Sequence, residues 1–340
     1  MLQNLLSIVF LVLLLILIFQ ILEISLRKDE LEFFLKEKYF LGKIGGQFFK
    51  VNLPSGSFFQ NQFCSFLFDG SLLCFQNNKV FVSKDRKNFN LQGKLEGKKI
   101  SIQEMFLREN FIYVLASDGS KTKLLLSNDK GKSFQEKINF AEKKLNSLFV
   151  FPQNPSHLLL AKDNLILESE DRGFSWRVKN SFLGKIRKIG EVENGIFVLV
   201  ENERDFQILE SKDLGLSFSK VFSTEDFKIN SGIKEILACN KDFYILFANN
   251  QFGILKQGEL SFISIPLFEG ENLTSFTLAQ KNGKIIYLGG NKGIYVSLDD
   301  GRTWERFPLS LFEKYYSKVK KLEANPVFPG EFLVKIESFL

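Results

Sequence analysis

Cysteine and helical periodicity are both scarce in this sequence of 340 residues. Its three cysteines, Cys64, Cys74 and Cys239, are an odd number, which excludes a complete set of disulfide bonds. A bridge between Cys64 and Cys74 across adjacent strands is one alternative, and free, buried thiols are the favoured one. Beyond residue 45, apolar residues do not recur convincingly at helical spacing, apart from a short segment near residue 315. With 45% hydrophobic and 25% charged residues, the composition suits one large folded unit.

A short motif, S-x-D-x-G-x-[ST]-[WF], recurs along the chain at steps of about 43 residues. Complete copies begin at Ser127, Ser169, Ser211 and Ser297, and a weaker copy at Ser83 has lysine in place of the glycine. A period in the forties indicates that each unit is one supersecondary element. The motif positions, which we expect to be structural, are Ser83, Asp85, Phe89, Ser127, Asp129, Gly131, Ser133, Phe134, Ser169, Asp171, Gly173, Ser175, Trp176, Ser211, Asp213, Gly215, Ser217, Phe218, Ser297, Asp299, Gly301, Thr303 and Trp304.

The chemistry of the motif suits a β-hairpin turn. Aspartate and serine side chains accept hydrogen bonds from backbone N–H groups two residues on, and the glycine supplies a positive φ. The closing aromatic residue then begins the outgoing strand and packs against a neighbouring unit. With Phe48 and Phe262 as weaker assignments, these aromatic residues mark seven units. Because one carboxylate per unit does not build a cluster, no metal site is expected.

Between the motifs, the chain reads as short strands, four to a unit, rich in Phe, Ile, Leu and Val and bounded by Asn, Asp and Gly. The first unit has only two strands, and so has the last unit before Leu340. Two strands from each end would complete a seventh unit and leave few exposed edges. The sequence therefore predicts an all-β fold, a seven-bladed β-propeller of four-stranded blades closed by N- and C-terminal strands.

The repeated motif resembles the Asp-box of bacterial neuraminidase (BNR) repeats. The stretch FVFPQNPSHLLLAKDNLILESEDRGFSW, residues 149–176, is similar to repeats of the photosystem II stability and assembly factor family and of the sortilin ectodomain. The resemblance covers residues 40–340 and implies a propeller that faces the exterior or a lumen. A WD40 propeller is disfavoured, because the chain has one histidine, His157, and no Trp-Asp dipeptide. We expect His157 to lie in a turn before a strand.

The N-terminal region contains an apolar run from Leu5 to Leu22. As a helix with a rise of about 1.5 Å per residue, this run spans about 27 Å, close to the thickness of a bilayer core. No basic residue precedes the run and no small-x-small cleavage site follows it, which favours an uncleaved anchor over a secretory signal. We expect residues 1–26 to form a transmembrane anchor, residues 27–38 a short helical stalk and residues 39–340 the propeller.

The basic residues that follow this run favour a cytoplasmic propeller by the positive-inside tendency. The family resemblance implies the opposite side, and we adopt an extracytoplasmic propeller on a single-pass membrane protein. In an up-and-down blade, the motif turns lie on one face and the links between blades on the other. The links carry much of the excess positive charge of a chain with a net charge of +6.

The basic face without motif turns is the predicted binding face, and it should steer an acidic partner. Its candidate residues are Lys98, Lys99, Lys185, Arg187, Lys188, Lys318, Lys320 and Lys321. The alternative is that these residues are solvated loop charges. We expect a protein partner, acidic or membrane-embedded, with a glycan as the alternative. Nucleic acid is disfavoured, because no known binding motif accompanies the basic clusters.

Catalysis is not expected from the residues present. A sialidase-like site needs an arginine triad, and the Arg-Ile-Pro signature of that family is absent. Other glycoside hydrolases need only two carboxylates about 5–10 Å apart. The acidic residues on the plausible face are Asp118, Asp163, Glu201, Glu203 and Asp205. The sequence favours a membrane-anchored, non-catalytic scaffold without a cofactor that binds a protein partner and assists the assembly or stability of a membrane complex. The alternative is a glycan-binding or glycoside-hydrolase-type envelope protein.

Overall fold

The computed structural model describes residues 35–43, 47–53, 62–96, 100–108, 110–141, 145–203, 205–279, 285–309 and 317–339. The predicted anchor, Leu5 to Leu22, and most of the predicted stalk lie outside these ranges. Within them, we find no helix with the length and apolar character needed to cross a bilayer.

The described ranges contain 28 β-strands arranged in seven four-stranded antiparallel sheets, which we call blades. Blade 1 comprises β3 (Gln62–Phe66), β4 (Leu72–Gln76), β5 (Lys79–Ser83) and β6 (Asn90–Lys94). Blade 2 comprises β7 (Ser101–Arg108), β8 (Phe111–Ser117), β9 (Thr122–Ser127) and β10 (Gln135–Phe140). Blade 3 comprises β11 (Ser147–Val150), β12 (Leu158–Lys162), β13 (Leu165–Ser169) and β14 (Arg177–Ser181). Blade 4 comprises β15 (Lys185–Val192), β16 (Gly195–Glu201), β17 (Phe206–Ser211) and β18 (Ser219–Ser223). Blade 5 comprises β19 (Ile233–Cys239), β20 (Asp242–Phe247), β21 (Phe252–Lys256) and β22 (Glu259–Ile263). Blade 6 comprises β23 (Leu273–Ala279), β24 (Ile285–Gly290), β25 (Gly293–Ser297) and β26 (Glu305–Pro308). Blade 7 comprises β27 (Ser317–Ala324), β28 (Glu331–Phe339), β1 (Leu35–Lys43) and β2 (Gln47–Lys50).

The second strand of each complete blade is a continuous apolar run because both of its faces are covered by neighbouring blades. Strand β4 (LLCFQ) is buried at every position, and β8, β16 and β20 are buried at all but their end residues. The outermost strands, such as β6 (NLQGK) and β14 (RVKNS), are mostly exposed and polar. Strands buried on both faces lose the alternation of apolar and polar residues that strands buried on one face keep.

The hydrophobic core is divided among the junctions between blades. Seven clusters of buried side chains occupy the seven junctions between described blades. The cluster between blades 7 and 1, for example, joins Tyr39 and Leu333 to Phe66 and Leu72. Because the last blade packs on the first as the others pack on their neighbours, the ring is closed.

Blade 7 is built from both ends of the propeller, as the sequence predicts. Its strand order is β2-β1-β28-β27, and β1 pairs with β28 from Leu35 opposite Phe339 to Lys43 opposite Glu331. The first strand begins at Leu35, so residues 35–38 belong to the sheet and not to the predicted helical stalk. Pairing with the final strand supplies these residues with the backbone hydrogen bonds of a central strand.

The repeated motif, which we call the box, forms the turn between the third and fourth strands. In blade 3, Ser169 Oγ donates to Asp171 Oδ1 at 2.8 Å and accepts from the Gly173 N–H at 2.8 Å. Asp171 also accepts from the N–H and the hydroxyl of Ser175, at 2.9 and 2.5 Å. The boxes of blades 2, 4 and 6 repeat these bonds. The predicted turn is thus confirmed, although its main bonds span four residues and not two.

The weaker box in blade 1 shows what the glycine contributes. In the complete boxes, the glycine and the residue before it both have a positive φ, as at Arg172 and Gly173 with 64° and 87°. In blade 1, Arg86 has a φ of 64°, but Lys87 is not among the positive-φ residues. Its N–H donates to Asp85 at 3.0 Å, whereas each glycine N–H donates to the box serine. A residue with a Cβ atom resists the left-handed conformation, so the turn rearranges.

Five of the seven aromatic positions behave as predicted. Phe89, Phe134, Trp176, Phe218 and Trp304 each pack into the junction with the preceding blade. The assignment of Phe262 is wrong, because its side chain is 47% exposed near the end of β22. Blade 5 replaces the box with a tight turn at Gln257 and Gly258, both with positive φ, so no aromatic residue is positioned there. The side chain of Phe48 lies outside the described residues.

The favoured prediction of free thiols at Cys64 and Cys74 is wrong. The two residues lie directly opposite each other on β3 and β4, and a disulfide bond joins them. Both are buried, with 1% and 0% of their surface exposed. Cys239 is the free cysteine. The bridge therefore ties the innermost strand of blade 1 to its neighbour.

Candidate binding site at the channel mouth

The innermost strands of the blades surround a central channel. These strands are β3, β7, β11, β15, β19, β23 and β27, and they contact one another around the ring. All of them run from the face that carries the links between blades, the link face, toward the face that carries the boxes, the box face. The first residues of each innermost strand therefore surround the mouth of the channel on the link face.

A second repeated sequence pattern occurs at this mouth. It consists of two residues, mostly polar, between two apolar residues. The central pairs are Cys64-Ser65, Gln103-Glu104, Asn146-Ser147, Arg187-Lys188, Lys234-Glu235, Thr274-Ser275 and Lys320-Lys321. The register of strand pairing shifts at this pair in β7, β15, β19, β23 and β27, which identifies a β-bulge. A bulge re-aims side chains, so two successive residues reach the channel where a regular strand would direct one.

Three of these pairs fasten one blade to the next in the same way. Between blades 3 and 4, Asn146 Nδ2 donates to the Ile186 carbonyl at 2.7 Å, and the Ile189 N–H donates to Ser147 Oγ at 3.2 Å. The corresponding bonds recur between blades 5 and 6 through Lys234 and Glu235, and between blades 6 and 7 through Thr274 and Ser275. The first side chain of the pair thus donates across the junction and the second accepts.

Two other pairs consist only of cations. Arg187 forms an ion pair with Glu201 of its own blade, and Lys188 Nζ donates to the Ile236 carbonyl at 2.8 Å. Lys320 pairs with Glu337 of its own blade at 2.7 Å. Lys321 Nζ lies 5.4 Å from the centre of the Phe63 ring. A cation cannot accept the N–H of the next blade, so these positions lose half of the fastening pattern and add positive charge to the mouth.

Together these residues line a cavity of about 600 Å³ at the mouth of the channel. Its described lining carries five cations, Arg187, Lys188, Lys234, Lys320 and Lys321. It carries three carboxylates, those of Glu104, Glu201 and Glu235. The cavity therefore has an excess of positive charge, and its volume suits a side chain or a short segment of a partner.

The protein around the channel shifts the pKa values of the innermost groups. Burial raises the pKa of Glu235, although Lys188, the Phe276 N–H, Ser275 and Lys321 oppose the shift. Burial lowers the pKa of Lys188, against the opposing charges of Glu235 and Glu104. Water reaches both side chains, which are half-buried, but protein surrounds them on most sides. Groups held in this way favour a ligand that supplies further hydrogen bonds or compensating charge.

The structure brings four of the predicted binding residues together. Arg187, Lys188, Lys320 and Lys321 line the cavity, and Lys185 is exposed where β15 begins on the link face. Lys318 lies on β27 and pairs with Glu337 at 2.8 Å. Lys98 and Lys99 lie outside the described residues. Four of the eight predicted residues thus share one cavity, which the sequence did not indicate, and their role in binding stays a prediction.

The acidic residues named from the sequence are mostly elsewhere. Glu201 lines the cavity, whereas Asp163 and Glu203 are exposed in turns. Asp205 is buried and accepts hydrogen bonds from Ser223, Thr224, Gln207 and the Glu225 N–H. Asp118 accepts from Ser120 and the Lys121 N–H within its own turn. The sequence analysis did not identify Glu104, Lys234 and Glu235. The repeated polar pairs between apolar residues could have identified them.

One group of potential metal ligands exists among the described residues, formed by His157, Glu168 and Glu170. His157 lies between the turn at Pro155 and Ser156 and the start of β12, as predicted, and it is buried, with Nε2 at 2.7 Å from Glu168 Oε1. Lys179 at 2.5 Å and Arg177 at 2.9 Å already neutralise Glu168. Because the cluster contains its own cations, its chemistry is that of a buried ion-pair network.

Known proteins resemble this chain in structure. No family model matches the chain, and no curated protein matches its sequence. A GH74 enzyme from Niastella koreensis matches with a TM-score of 0.59 and 16% identity, over 86% of this chain and 53% of that one. This chain thus spans about half the length of that enzyme. YCF48 from Cyanidioschyzon merolae matches with a TM-score of 0.58 and 13% identity, over 84% of this chain and 97% of that one. YCF48 bound to D1 peptide matches with a TM-score of 0.58 and 11% identity, over 83% and 96%.

Identities this low establish the fold alone, and they place the chain among the β-propellers. The neighbours include both an enzyme and the photosystem II assembly factor YCF48, so the fold does not decide between catalysis and binding. The resemblance to the photosystem II factor family is supported at the level of the fold. The resemblance to neuraminidase repeats and to the sortilin ectodomain stays a prediction.

Proposed function

We propose that this protein is a membrane-anchored, non-catalytic propeller scaffold that binds an acidic segment of a protein partner at the channel mouth. The observation that carries the proposal is the placement of Arg187, Lys188, Lys320 and Lys321. At the same repeated positions, three other blades hold a second side chain that accepts an N–H of the next blade, whereas these two blades hold only cations, and all four cations line the cavity. Like charges gathered at a concave opening raise the local potential and draw in groups of opposite charge.

The geometry of the chain ends favours a partner at the membrane. Strand β1 starts at Leu35 opposite Phe339, on the link face. A chain that leads from an anchor at Leu5 to Leu22 would therefore join the propeller on the same face as the channel mouth. This arrangement supports a membrane-embedded partner and a role in the assembly or stability of a membrane complex. YCF48 bound to D1 peptide offers a precedent for a propeller of this fold that holds a peptide.

The disulfide bond supports an extracytoplasmic location for the propeller. Disulfides persist in oxidising compartments and are rare in the cytosol. The bridge between Cys64 and Cys74 is buried and joins directly paired strands. Alkylation of intact cells without reductant, followed by denaturation, would label Cys239 alone if the propeller lies outside the cytoplasm. Labelling of all three thiols would place it inside.

A charge-neutralising variant tests the binding site. We expect Lys320→Gln/Lys321→Gln to weaken the binding of a glutamate-rich peptide at least tenfold, and we expect added salt to weaken binding to the unmodified protein. Lys212→Gln is the matched control, because Lys212 is an exposed lysine on the box face. Calorimetric titration of the full chain in detergent measures both. Equal affinities for the two variants would contradict the proposal.

A glycan-active protein is the second candidate, and one observation favours it. Glu104 and Glu235 line the same cavity, and burial raises the pKa of Glu235, as a general acid requires. A panel of glycosides assayed with the unmodified protein and with Glu235→Gln decides between the two candidates. Turnover that is lost in the variant would replace the scaffold proposal, and absence of turnover supports it.

A further inference from the structure

A second cavity lies on the box face, in the groove between blades 2 and 3. It has a volume of about 320 Å³. Lys137, the bulged residue of β10, reaches it from blade 2, and Arg172, from the box of blade 3, closes its other side. The cavity is on the opposite face from the channel mouth and shares no lining residue with it.

Two aromatic rings hold the two cations of this groove. Lys137 Nζ lies 3.7 Å from the centre of the Phe174 ring, and the Arg172 guanidinium carbon lies 4.9 Å from that of Phe111. The Phe174 side chain is nonetheless 57% exposed, so part of its surface is open to a ligand. Burial and, after it, the charge of Arg172 lower the pKa of Lys137, with Asp171 opposing. Two like charges thus stand together at an apolar wall, which is unfavourable without an anion.

The neighbouring groove, between blades 3 and 4, shows how the same position is neutralised. Lys179 is the bulged residue of β14, and it lies beside Gly215 of the next box as Lys137 lies beside Gly173. In that groove Glu168 accepts from Lys179 at 2.5 Å. The cation is therefore balanced by a carboxylate of its own blade.

The groove between blades 2 and 3 lacks this carboxylate. Leu126 pairs with Gln135 as Glu168 pairs with Arg177, so leucine stands in the position of the neutralising glutamate. Among the described lining residues none is acidic. The nearby Asp171 carboxylate is engaged by the hydrogen bonds of its own box. Lys137 donates to a neutral partner, Gln135 Oε1, at 2.6 Å.

We propose that this groove binds an acidic saccharide, with a uronate carboxylate between Lys137 and Arg172 and a face of the sugar ring against Phe174. Carboxylates form short, charge-assisted bonds with guanidinium and ammonium groups. Asn128 and Gln135 line the same cavity and offer amide groups to sugar hydroxyls. The volume accommodates one or two sugar rings, whereas an extended acidic peptide would find one isolated pair of cations.

Titration of the full chain with oligogalacturonate tests the proposal, with a neutral maltooligosaccharide of equal length and a glutamate-rich peptide as comparisons. We expect the acidic saccharide alone to bind at this groove. Lys137→Met and Arg172→Met should each weaken that binding at least tenfold, and Lys212→Met should leave it unchanged. Absence of binding to the unmodified protein, equal binding of the neutral saccharide, or unchanged binding in Arg172→Met would overturn the proposal. So would displacement of the saccharide from this groove by the peptide.

A further variant removes the site without touching either cation. Leu126→Glu recreates the carboxylate of the neighbouring groove, so we expect it to neutralise Lys137 and abolish saccharide binding. If Leu126→Glu impairs folding, Arg172→Met still tests the site, because Arg172 is exposed. The channel variant Lys320→Gln/Lys321→Gln should bind the saccharide as the unmodified protein does. This result separates failure of the groove from failure of the channel mouth.

Discussion

The polar residues on the box face and those at the channel mouth form different kinds of hydrogen bonds. On the box face, each serine and aspartate forms hydrogen bonds within its own turn, and the same bonds recur in four blades. At the channel mouth, the polar residues reach into neighbouring blades, and their identity changes from neutral pairs to cation pairs around the ring. Repeated local bonds are what a scaffold requires, whereas variation at repeated positions is where a binding surface can be built.

The largest loss of stability is expected from a substitution in a box turn. A Cβ atom on Gly173 would lie 2.7 Å from Leu124 Cδ2, and φ there is 87°. We expect Gly173→Ala to lower the free energy of unfolding by about 3 kcal/mol, from left-handed strain and overpacking together. Gly119→Ala is the control, because φ is 93° but the space beside it is open, and it should cost about 1 kcal/mol. Urea denaturation measures both, and equal losses would show that packing around the box is unimportant.

The second largest loss of stability is expected from removing the disulfide bond of β3, the innermost strand of blade 1. We expect Cys64→Ala/Cys74→Ala to lower the free energy of unfolding by about 2 kcal/mol, because the bridge no longer restricts the unfolded chain. Cys239→Ala should change stability little, because Cys239 forms no bridge. Urea denaturation without reductant checks the prediction. If reduction of the unmodified protein left its midpoint unchanged, the bridge would contribute nothing.

A smaller effect comes from a single box carboxylate. The Ser175 hydroxyl, followed by the Ser175 N–H, lowers the pKa of Asp171 from 3.8 to about 2. Because the folded-state pKa lies below the ordinary one, the stabilisation is present above about pH 4 and is lost as the pH falls toward 2. Asp171→Asn should lower stability at neutral pH by about 1 kcal/mol or less and should flatten this pH dependence. Urea midpoints measured from pH 6 to pH 2 test it, and identical pH profiles would refute the assignment.

The smallest change in stability is expected from a substitution at the channel mouth. Lys320→Gln/Lys321→Gln removes two charges that fasten no junction in the way their counterparts do. We expect the free energy of unfolding to change by no more than about 0.5 kcal/mol, although peptide binding weakens. Thr274→Val, which removes the bond to the Val319 carbonyl at 2.6 Å, should cost more. A larger loss of stability in Lys320→Gln/Lys321→Gln than in Thr274→Val would mean that the cations are structural.

The sequence predicts the parts of the fold that local chemistry determines. The box turn is complete within eight residues, so its motif was sufficient, and the two half-blades at the ends predicted closure. Pairing of Cys64 with Cys74 depends on the register of a hairpin, and a shift of one residue would have separated them. The channel mouth depends on residues such as Lys188 and Glu235, which meet only when the ring has closed.

Hydrogen exchange of the full chain with and without a glutamate-rich peptide tests the central claim most directly, because it reports on both ends at once. We predict added protection at the first residues of β15 and β27, around Lys188 and Lys321. We also predict slow and unchanged exchange at the box glycines, Gly131, Gly173 and Gly215 among them, because serine hydroxyls accept hydrogen bonds from their N–H groups. Added protection at the box turns with none at the channel mouth would show that the peptide does not bind at the channel mouth.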